Sequence, residues 1–437
     1  MRQKIIWTLL AVSILGLGAF GYSLVQKHGK IIPFIEQLSK DQVDEHADIQ
    51  PIGQKKALYV GSQQCKKCHE NQFDQWKHSY HSKMIQNVSK DPSAILADFM
   101  KLPSEANFKK EDIVYTIGGK FKQRYMMAKE INGTQDFVVG NYQWNTQLKK
   151  WQPYSTTKDW YHDGYEENNS KVGTSKTCDG CHFTGVMSQG KRTEPAIACE
   201  ACHGPGSEHV KKPDDADKIY KATNADPKRA TEVCLQCHMR NRDKRLETTD
   251  MHSLFGDIRD YPQGYEPGKP LSIYKTKAPF DGNETDEFYG NGVGKKNRTQ
   301  GNEFVKSMMY KHGITCVNCH DPHQLNNTTT KPVGDAACMK CHSLGSPIGP
   351  HQSSIEAHTH HKAGSTGSSC IECHMPKTGK HLKESPLTVR THIFGFITPE
   401  ETRKYNVPNA CTNCHKDKNL DWADQSLSKW GMSQWTK

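Results

Sequence analysis

The sequence predicts a mainly α-helical and irregular fold that contains one small antiparallel β-sheet near residues 113–151. Three observations support this fold class. Counted with Gly and without Tyr, about 38% of the 437 residues are apolar, against the usual ~45–50%, so side chains alone make a small core. Sixteen cysteines recur at short intervals, which leaves room only for loops and short helices between them. A single segment shows the alternation of a half-buried sheet.

All 16 cysteines belong to eight copies of one pattern, Cys-x-x-Cys-His. Two thiols at this spacing add to the vinyl groups of a haem, and the adjacent imidazole then binds the iron. A disulfide framework or Cys₄ zinc sites would leave the eight histidines unexplained. The pattern therefore predicts eight covalently bound c-type haems, whose apolar macrocycles fill the core.

We number these sites 1 to 8 in chain order: Cys65, Cys68 and His69; Cys178, Cys181 and His182; Cys199, Cys202 and His203; Cys234, Cys237 and His238; Cys316, Cys319 and His320; Cys338, Cys341 and His342; Cys370, Cys373 and His374; Cys411, Cys414 and His415.

The predicted sheet lies in the longest stretch between two sites, from Cys65 to Cys178. Its alternating runs are separated by Gly118-Gly119 and by Asn132-Gly133, which are typical of hairpin turns. Residues 71–84 before it have the apolar spacing of a helix. Residues 239–311 predict a long surface loop, and no other segment clearly indicates a strand.

We divide the chain into four parts: a signal peptide or N-terminal membrane anchor over 1–25, a linker over 26–58, a region with sites 1–3 and the sheet over 59–225, and a region with sites 4–8 over 226–437. The basic stretch Met1–Lys4 and the uncharged run Ile5–Val25 indicate export. The run is long for a cleaved signal and long enough to span a bilayer, so cleavage and anchorage both stay open. We expect the haem-bearing part on the periplasmic side of the cytoplasmic membrane, anchored or soluble, with the outer surface as an alternative.

The formal net charge of +10 would ordinarily suggest an anionic partner. Eight haems with ionised propionates lower this charge to about +2 when oxidised and about −6 when reduced. The charge therefore predicts no nucleic-acid partner.

Fifteen of the 23 histidines lie outside the motifs, enough for a second axial ligand at every site. A six-coordinate haem transfers electrons, whereas catalysis at iron needs an open position. Our preferred distal ligands are His81, His162, His209, His252, His312, His323, His361 and His392. His358 competes with His361, and His351 or His381 with His162 or His312, while His46, His78 and His360 are expected to be bystanders. Spacing does not tell which histidine serves which site.

Several segments carry a family resemblance: Tyr59–Ser62 with site 1 and Trp76–His81, Gly118–Tyr125, Cys199–His209, Met309–His323, His358–Ser365, Cys370–Pro376 and Pro408–Cys411. From about Tyr59 to Trp430, the chain resembles multihaem cytochromes of the cytochrome c-554/c-prime class. This resemblance implies a multihaem cytochrome c fold organised around eight stacked haems, and electron transfer in respiratory or nitrogen and sulfur redox chains. It also implies His81, His209, His323 and His392 as distal ligands.

The sequence thus predicts an exported octahaem cytochrome that carries electrons between a redox protein donor and acceptor, such as a quinol-oxidising cytochrome or other cytochromes. No residue is given a catalytic role. One alternative is an oxidoreductase that acts on a small nitrogen or sulfur compound at one open haem. The lack of a Cys-x-x-Cys-Lys site, found in related nitrite reductases, weakens that alternative. Another is an outer-surface cytochrome for extracellular electron transfer.

Overall fold

Short helices joined by turns make up most of the fold. The structure is a computed structural model that describes residues 57–131, 133–155, 173–243, 261–277, 283–324 and 335–432. Of the α-helices in these ranges, only α8 and α16 are longer than seven residues. The helices are α1 Ser62–Lys66, α2 Glu70–Trp76, α3 Thr174–Thr177, α4 Asp179–His182, α5 Val186–Gln189, α6 Cys199–His203, α7 Ser207–Lys211, α8 Pro227–His238, α9 Gln300–Phe304, α10 Met308–Lys311, α11 Asp335–Met339, α12 Ile355–Thr359, α13 Cys370–His374, α14 Pro399–Tyr405, α15 Ala410–Cys414 and α16 Leu420–Lys429.

The longest of these helices, α8, shows how the sequence places a site. The Asp226 side chain accepts hydrogen bonds from the backbone N–H groups of Lys228 and Arg229, and Pro227 opens the first turn. An acidic N-cap followed by proline is a strong helix start. The helix ends at His238, so site 4 occupies its last turns.

The predicted sheet is confirmed as a six-stranded antiparallel sheet. Its strands are β1 Ile85–Asn87, β2 Ile113–Gly118, β3 Lys122–Ile131, β4 Thr134–Val139, β5 Tyr142–Asn145 and β6 Lys150–Pro153. They lie in the order β1-β2-β3-β5-β6, and β4 also pairs with β3. Gly118 and Gly133 belong to the two predicted hairpin turns, and each has a φ of 76°, a left-handed conformation that suits glycine.

Strand β3 separates two environments because successive side chains point to opposite faces. Tyr125 and Met127 lie in an aromatic cluster with Phe108, Trp144 and Trp151 that forms the core of the sheet. Residues of the opposite face, such as Met126, pack towards the sites instead. The sheet therefore has its own core and also forms one wall around the sites.

Two local expectations were wrong. The helix predicted over 71–84 ends at Trp76, and turns lead from there to β1. The segment 239–311, predicted as loop, contains α9 and α10.

Short strands also occur outside the main sheet. They pair two by two: β7 Phe183–Thr184 with β8 Glu194–Pro195, β9 Asn241–Asp243 with β10 Lys275–Lys277, and β11 Lys377–Gly379 with β12 Val389–Arg390. Such two-residue and three-residue strands are too short for sequence alternation to reveal.

The expected leader and almost all of the expected linker lie outside the described residues. Among the helices of the described ranges, none has the length and apolar character needed to cross a membrane. The division expected between residues 225 and 226 stays a prediction. Ring contacts between His81 and His238, and between His203 and His323, join its two sides.

Candidate haem sites

Every motif forms a helical turn. At sites 3 and 7 the whole motif is helical, over α6 and α13. At sites 1, 5, 6 and 8 the histidine N–H donates to the carbonyl of the first cysteine over 2.8–2.9 Å. Helix positions i, i+3 and i+4 share one face, so each turn presents both thiols and the imidazole on the same side. This is the arrangement that covalent attachment of one planar group requires.

Thiols of different sites lie next to each other. Four pairs of interacting thiols join site 1 to site 3, site 2 to site 4, site 4 to site 5, and site 6 to site 7. These pairs are Cys65 with Cys199, Cys181 with Cys237, Cys234 with Cys316, and Cys338 with Cys370.

Weaker electrostatic interactions between thiols complete the series. The charge of Cys202 of site 3 raises the pKa of both cysteines of site 4. In the same way, both cysteines of site 6 raise the pKa of Cys319 of site 5, and both cysteines of site 8 raise the pKa of Cys373 of site 7. Sites 1, 3, 4, 5, 6, 7 and 8 therefore adjoin in that order. This line is continuous without site 2, which adjoins site 4 at its side.

Within the described ranges, six motif histidines each face a second histidine. The ring centroids of these pairs are 6.1–6.4 Å apart. The pairs are His69 with His209, His203 with His323, His238 with His81, His320 with His392, His374 with His358, and His415 with His361.

The spacing of these pairs fits a metal ion between the rings. Metal–imidazole bonds are about 2.0 Å long and the ring centroid lies about 1.1 Å further, so two imidazoles across one ion have centroids about 6.2 Å apart. Directly stacked rings lie much closer, as His381 and Phe121 do at 3.6 Å. The described residues therefore include six histidine pairs at a distance that suits two imidazoles binding one iron.

Several of these rings are oriented by a hydrogen bond at Nδ1. The acceptors are backbone carbonyls: Tyr220 O for His203 at 2.9 Å, Arg390 O for His392 at 3.1 Å and Thr359 O for His361 at 2.6 Å. An Nδ1–H donated to a carbonyl leaves the lone pair on Nε2, the atom that binds metal. The backbone thus fixes both the tautomer and the direction of the ring.

Two of the paired imidazoles, His238 and His392, are kept neutral by burial. Burial, with a smaller effect of neighbouring charged groups, lowers the pKa of His238 to about 3 and that of His392 to about 4. A neutral imidazole binds metal, whereas a protonated one does not. These buried rings are therefore ready as ligands at neutral pH.

Five histidines of the preferred distal set, His81, His209, His323, His361 and His392, lie in the pairs. His162 and His252 lie outside the described residues. His312 is exposed at the end of α10 and makes no ring contact with a motif histidine among the residues described, and the same holds for His351. His358 was expected to compete with His361 for one site. The two serve different sites: His358 faces His374 of site 7, and His361 faces His415 of site 8.

Sites 2 and 6 differ from the other six. In the described part of the chain, no second histidine ring contacts His182 or His342. The Nδ1–H group of His342 donates a hydrogen bond to the backbone carbonyl of Ile348 over 2.5 Å. The buried Nδ1 atom of His182 has no hydrogen-bond partner in these ranges. Burial, and to a smaller extent the charges of Arg298, Arg124 and Lys122, lower the pKa of His182 to about 3.

One connected cavity of about 2540 Å³ joins sites 1 to 5. Single-ligand pockets usually have ~300–1,000 Å³, so this space suits several large groups. It is lined by the motif residues of those sites and by the face of β3 that carries Lys122 and Arg124. Sequence reasoning missed these two cations, although their alternation along a strand is a signal that they share a face.

Comparisons with known proteins agree with these sites. The model of the family "Cytochrome c554 and c-prime" matches residues 64–115 and 139–204, which contain sites 1, 2 and 3. The dissimilatory sulfite reductase MccA of Wolinella succinogenes is 22% identical over 410 residues, an alignment that covers 73% of this chain and 50% of the relative. This chain is a multihaem c-type cytochrome.

Two further relatives agree with this classification. The multiheme cytochrome MtrA of Shewanella baltica is 23% identical over 194 residues, which cover 41% of this cytochrome and 56% of MtrA. The cytochrome thus spans about half the length of the curated relatives it matches. The crystal structure of the outer cell wall cytochrome OcwA superposes with a TM-score of 0.66 at 24% identity, covering 85% of this cytochrome and 86% of OcwA. That likeness shows a shared fold.

Proposed function

We propose that this cytochrome binds eight haems, one at each motif, and carries electrons along them between two redox proteins. The observation that supports this proposal is the continuous line of adjoining sites from site 1 to site 8. Cys68 of site 1 and Cys414 of site 8 are exposed, so partner proteins can approach both ends. Bound haem supplies a one-electron redox change at its iron.

In this proposal the 16 cysteines attach the haems and the motif histidines are the proximal ligands. The distal ligands are His209 at site 1, His323 at site 3, His81 at site 4, His392 at site 5, His358 at site 7 and His361 at site 8. Two of them also connect neighbours in the line. His209 lies six residues after His203 of site 3 and serves site 1, and His323 follows site 5 directly and serves site 3. A bound iron at each site therefore ties adjoining segments together.

The proposal also includes the location of the chain and its partners. We propose that the chain acts outside the cytoplasmic membrane, because its N-terminal run has the composition of an export signal. Its partners are a donor and an acceptor of electrons, such as a quinol-oxidising cytochrome and another cytochrome. The likeness in fold to an outer cell wall cytochrome keeps the outer surface as the alternative location. Fractionation of cells followed by haem staining separates the two locations.

The haem content of the purified full chain tests the proposal. A pyridine haemochrome assay should give eight haems per chain, and alanine at both cysteines of any one site should lower the count by one. His209→Ala should leave the count at eight and add high-spin ferric iron to the electron paramagnetic resonance (EPR) spectrum. His78→Ala is the matched control and should change neither. Fewer than eight haems in the wild-type chain would contradict the proposal.

A second candidate function is an oxidoreductase that acts on a small nitrogen or sulfur compound at one open haem. Site 2 favours it, because no histidine within the described ranges contacts His182, while six other motif histidines have such a partner. A dissimilatory sulfite reductase is among the relatives. A ferric spectrum that is wholly low-spin would contradict this candidate, and a high-spin signal that changes with nitrite or hydroxylamine would support it.

A further inference from the structure

We propose that Glu200, which lies between the two cysteines of site 3, is the positioning residue for the iron ligands of site 1. The proposal rests on the proposed function, because it presumes a haem at site 1 with His69 and His209 as its ligands. Glu200 acts through the backbone that leads to each of these ligands. A residue inside one motif thus sets the ligand geometry at the neighbouring site in the line.

The Glu200 carboxylate is buried and accepts backbone hydrogen bonds from two separate segments. Only 1% of the residue is exposed. The N–H groups of Val60 and Gly61 donate to it over 2.9 and 2.7 Å, and the N–H group of Gly206 donates over 2.7 Å. A carboxylate is stable in such a place only where donors replace the lost water. These charge-assisted hydrogen bonds therefore hold both segments on one group.

Each of the two segments leads directly into a helix that belongs to site 1. Helix α1 follows Gly61 and contains Cys65, whose carbonyl accepts the N–H of His69. Helix α7 follows Gly206 and contains His209. One segment thus precedes the proximal ligand and the other precedes the distal ligand. The Glu200 carboxylate therefore fixes the separation of the two ligands between which the iron of site 1 binds.

The distal ligand of site 1 depends strongly on the placement of its helix. The rings of His392 and His361 are each oriented by a backbone carbonyl at Nδ1. The buried Nδ1 atom of His209 has no hydrogen-bond partner among the residues described. The position of this ring therefore follows the position of α7. Since ligand distances tolerate only about 0.2 Å, a small shift of α7 is enough to remove His209 from the iron.

Glu200→Gln breaks this arrangement with almost no change in size. In the native chain Oε1 accepts from Gly206 and Val60, and Oε2 accepts from Gly61. Glutamine has one acceptor oxygen, and its NH₂ group is a donor. In either orientation, the NH₂ group therefore faces an N–H donor of one segment. The loss of one hydrogen bond to a charged group should weaken docking of that segment about 10- to 100-fold.

Two direct hydrogen bonds between the segments remain in this variant. Leu58 N–H donates to Ser207 Oγ over 2.9 Å, and Ser207 N–H donates to the Leu58 carbonyl over 3.0 Å. We therefore expect site 1 to open in part of the molecules while the fold persists. Hydrogen exchange followed by mass spectrometry should show the amides of Gly61 or Gly206 exchanging about 10- to 100-fold faster than in the wild type.

The ferric EPR spectrum of the purified, haem-loaded full chain tests the proposal. Glu200→Gln should keep eight haems and show a high-spin signal that matches the signal of His209→Ala, the variant that opens site 1. His323→Ala opens site 3 and supplies the contrasting signal. The double variant Glu200→Gln/His209→Ala should contain no more high-spin iron than His209→Ala alone. Glu208→Gln is the matched control: its side chain is half-exposed beside His209, and its spectrum should equal that of the wild type.

Two results in a chain with eight haems would overturn the proposal. One is a Glu200→Gln signal that matches His323→Ala, because Glu200 would then serve only its own site. The other is a spectrum identical to that of the wild type.

Gly206→Ala decides the question if Glu200→Gln loads fewer than eight haems. Its Cβ would lie 3.2 Å from Glu200 Oε1, closer than an ordinary contact, so it disturbs the same hydrogen bond from the other side. We expect a changed signal from site 1 and an unchanged signal from site 3, and the absence of any change at site 1 would overturn the proposal. A wild-type count below eight would instead count against the proposed function.

Discussion

Substitution of Gly367 tests the ligand pairs at a position outside the eight motifs. A Cβ atom at Gly367 would lie 2.2 Å from Cδ2 and 2.6 Å from Cγ of His361. Ordinary contacts begin at 3.4 Å, so the ring would have to move by about 1.2 Å. Ligand distances tolerate only about 0.2 Å, so Gly367→Ala should remove His361 from site 8.

The expected result is specific to one site. Both thiols of site 8 stay in place, so the chain should keep eight haems, and about one haem in eight should become high-spin in the ferric EPR spectrum. Overpacking of this kind also costs about 1–3 kcal/mol of stability, which thermal unfolding measures. The control is Gly395→Ala, whose Cβ would meet the Ile393 side chain at 3.7 Å, an ordinary contact. A Gly367→Ala spectrum identical to that of the wild type would refute the pairing of His361 with His415.

Three other predictions follow from the structure. His358→Ala should create high-spin iron, whereas His351→Ala should not, and a reversed result in EPR would reject the assignment at site 7. Arg192→Ala removes the ion pairs to Asp136 and to the fully buried Asp179, and should lower the free energy of unfolding by about 3–5 kcal/mol in chemical denaturation. Alanine at both cysteines of site 2 should leave electron passage from site 1 to site 8 in stopped-flow reduction, whereas the same change at site 4 should stop it; equal effects would contradict the order of the sites.

The same buried carboxylate gives a prediction for pH. Burial raises the pKa of Asp179 to about 6, partly opposed by Arg192. The unfolded chain has its ordinary value of about 3.9. Between about pH 4 and pH 6 the folded state therefore holds a proton that the unfolded state has lost, so the free energy of unfolding falls as the pH rises through this window. Asp179→Asn should flatten that dependence in urea titrations at several pH values, and an unchanged slope would contradict it.

The sequence was sufficient for features that depend on short spacing. The Cys-x-x-Cys-His turns are local chemistry, and the Gly118-Gly119 and Asn132-Gly133 turns set the hairpins of the sheet. The ligand pairs depend on distant parts of the chain instead. His81 meets His238 across 157 positions, and no periodicity encodes such a contact.

The outcome at His358 and His361 shows a second reason. Two histidines three residues apart would compete for one site if the helix continued through them. Helix α12 ends at Thr359, and His360 adopts a left-handed conformation with φ of 54°. The chain therefore turns between the two rings, and each ring faces a different site. Sequence reasoning cannot place such a break, because only a few per cent of non-glycine residues adopt this conformation and no local pattern marks His360 as one of them.

The central claim, that the haem sites adjoin in one line, is tested most directly by the integrated EPR spectrum of the fully oxidised chain. The irons of two haems whose macrocycles lie in contact interact magnetically. We therefore predict that the resolved low-spin signals account for clearly fewer than the eight haems found by the haemochrome assay. Low-spin signals that add up to eight isolated, non-interacting haems would contradict the claim.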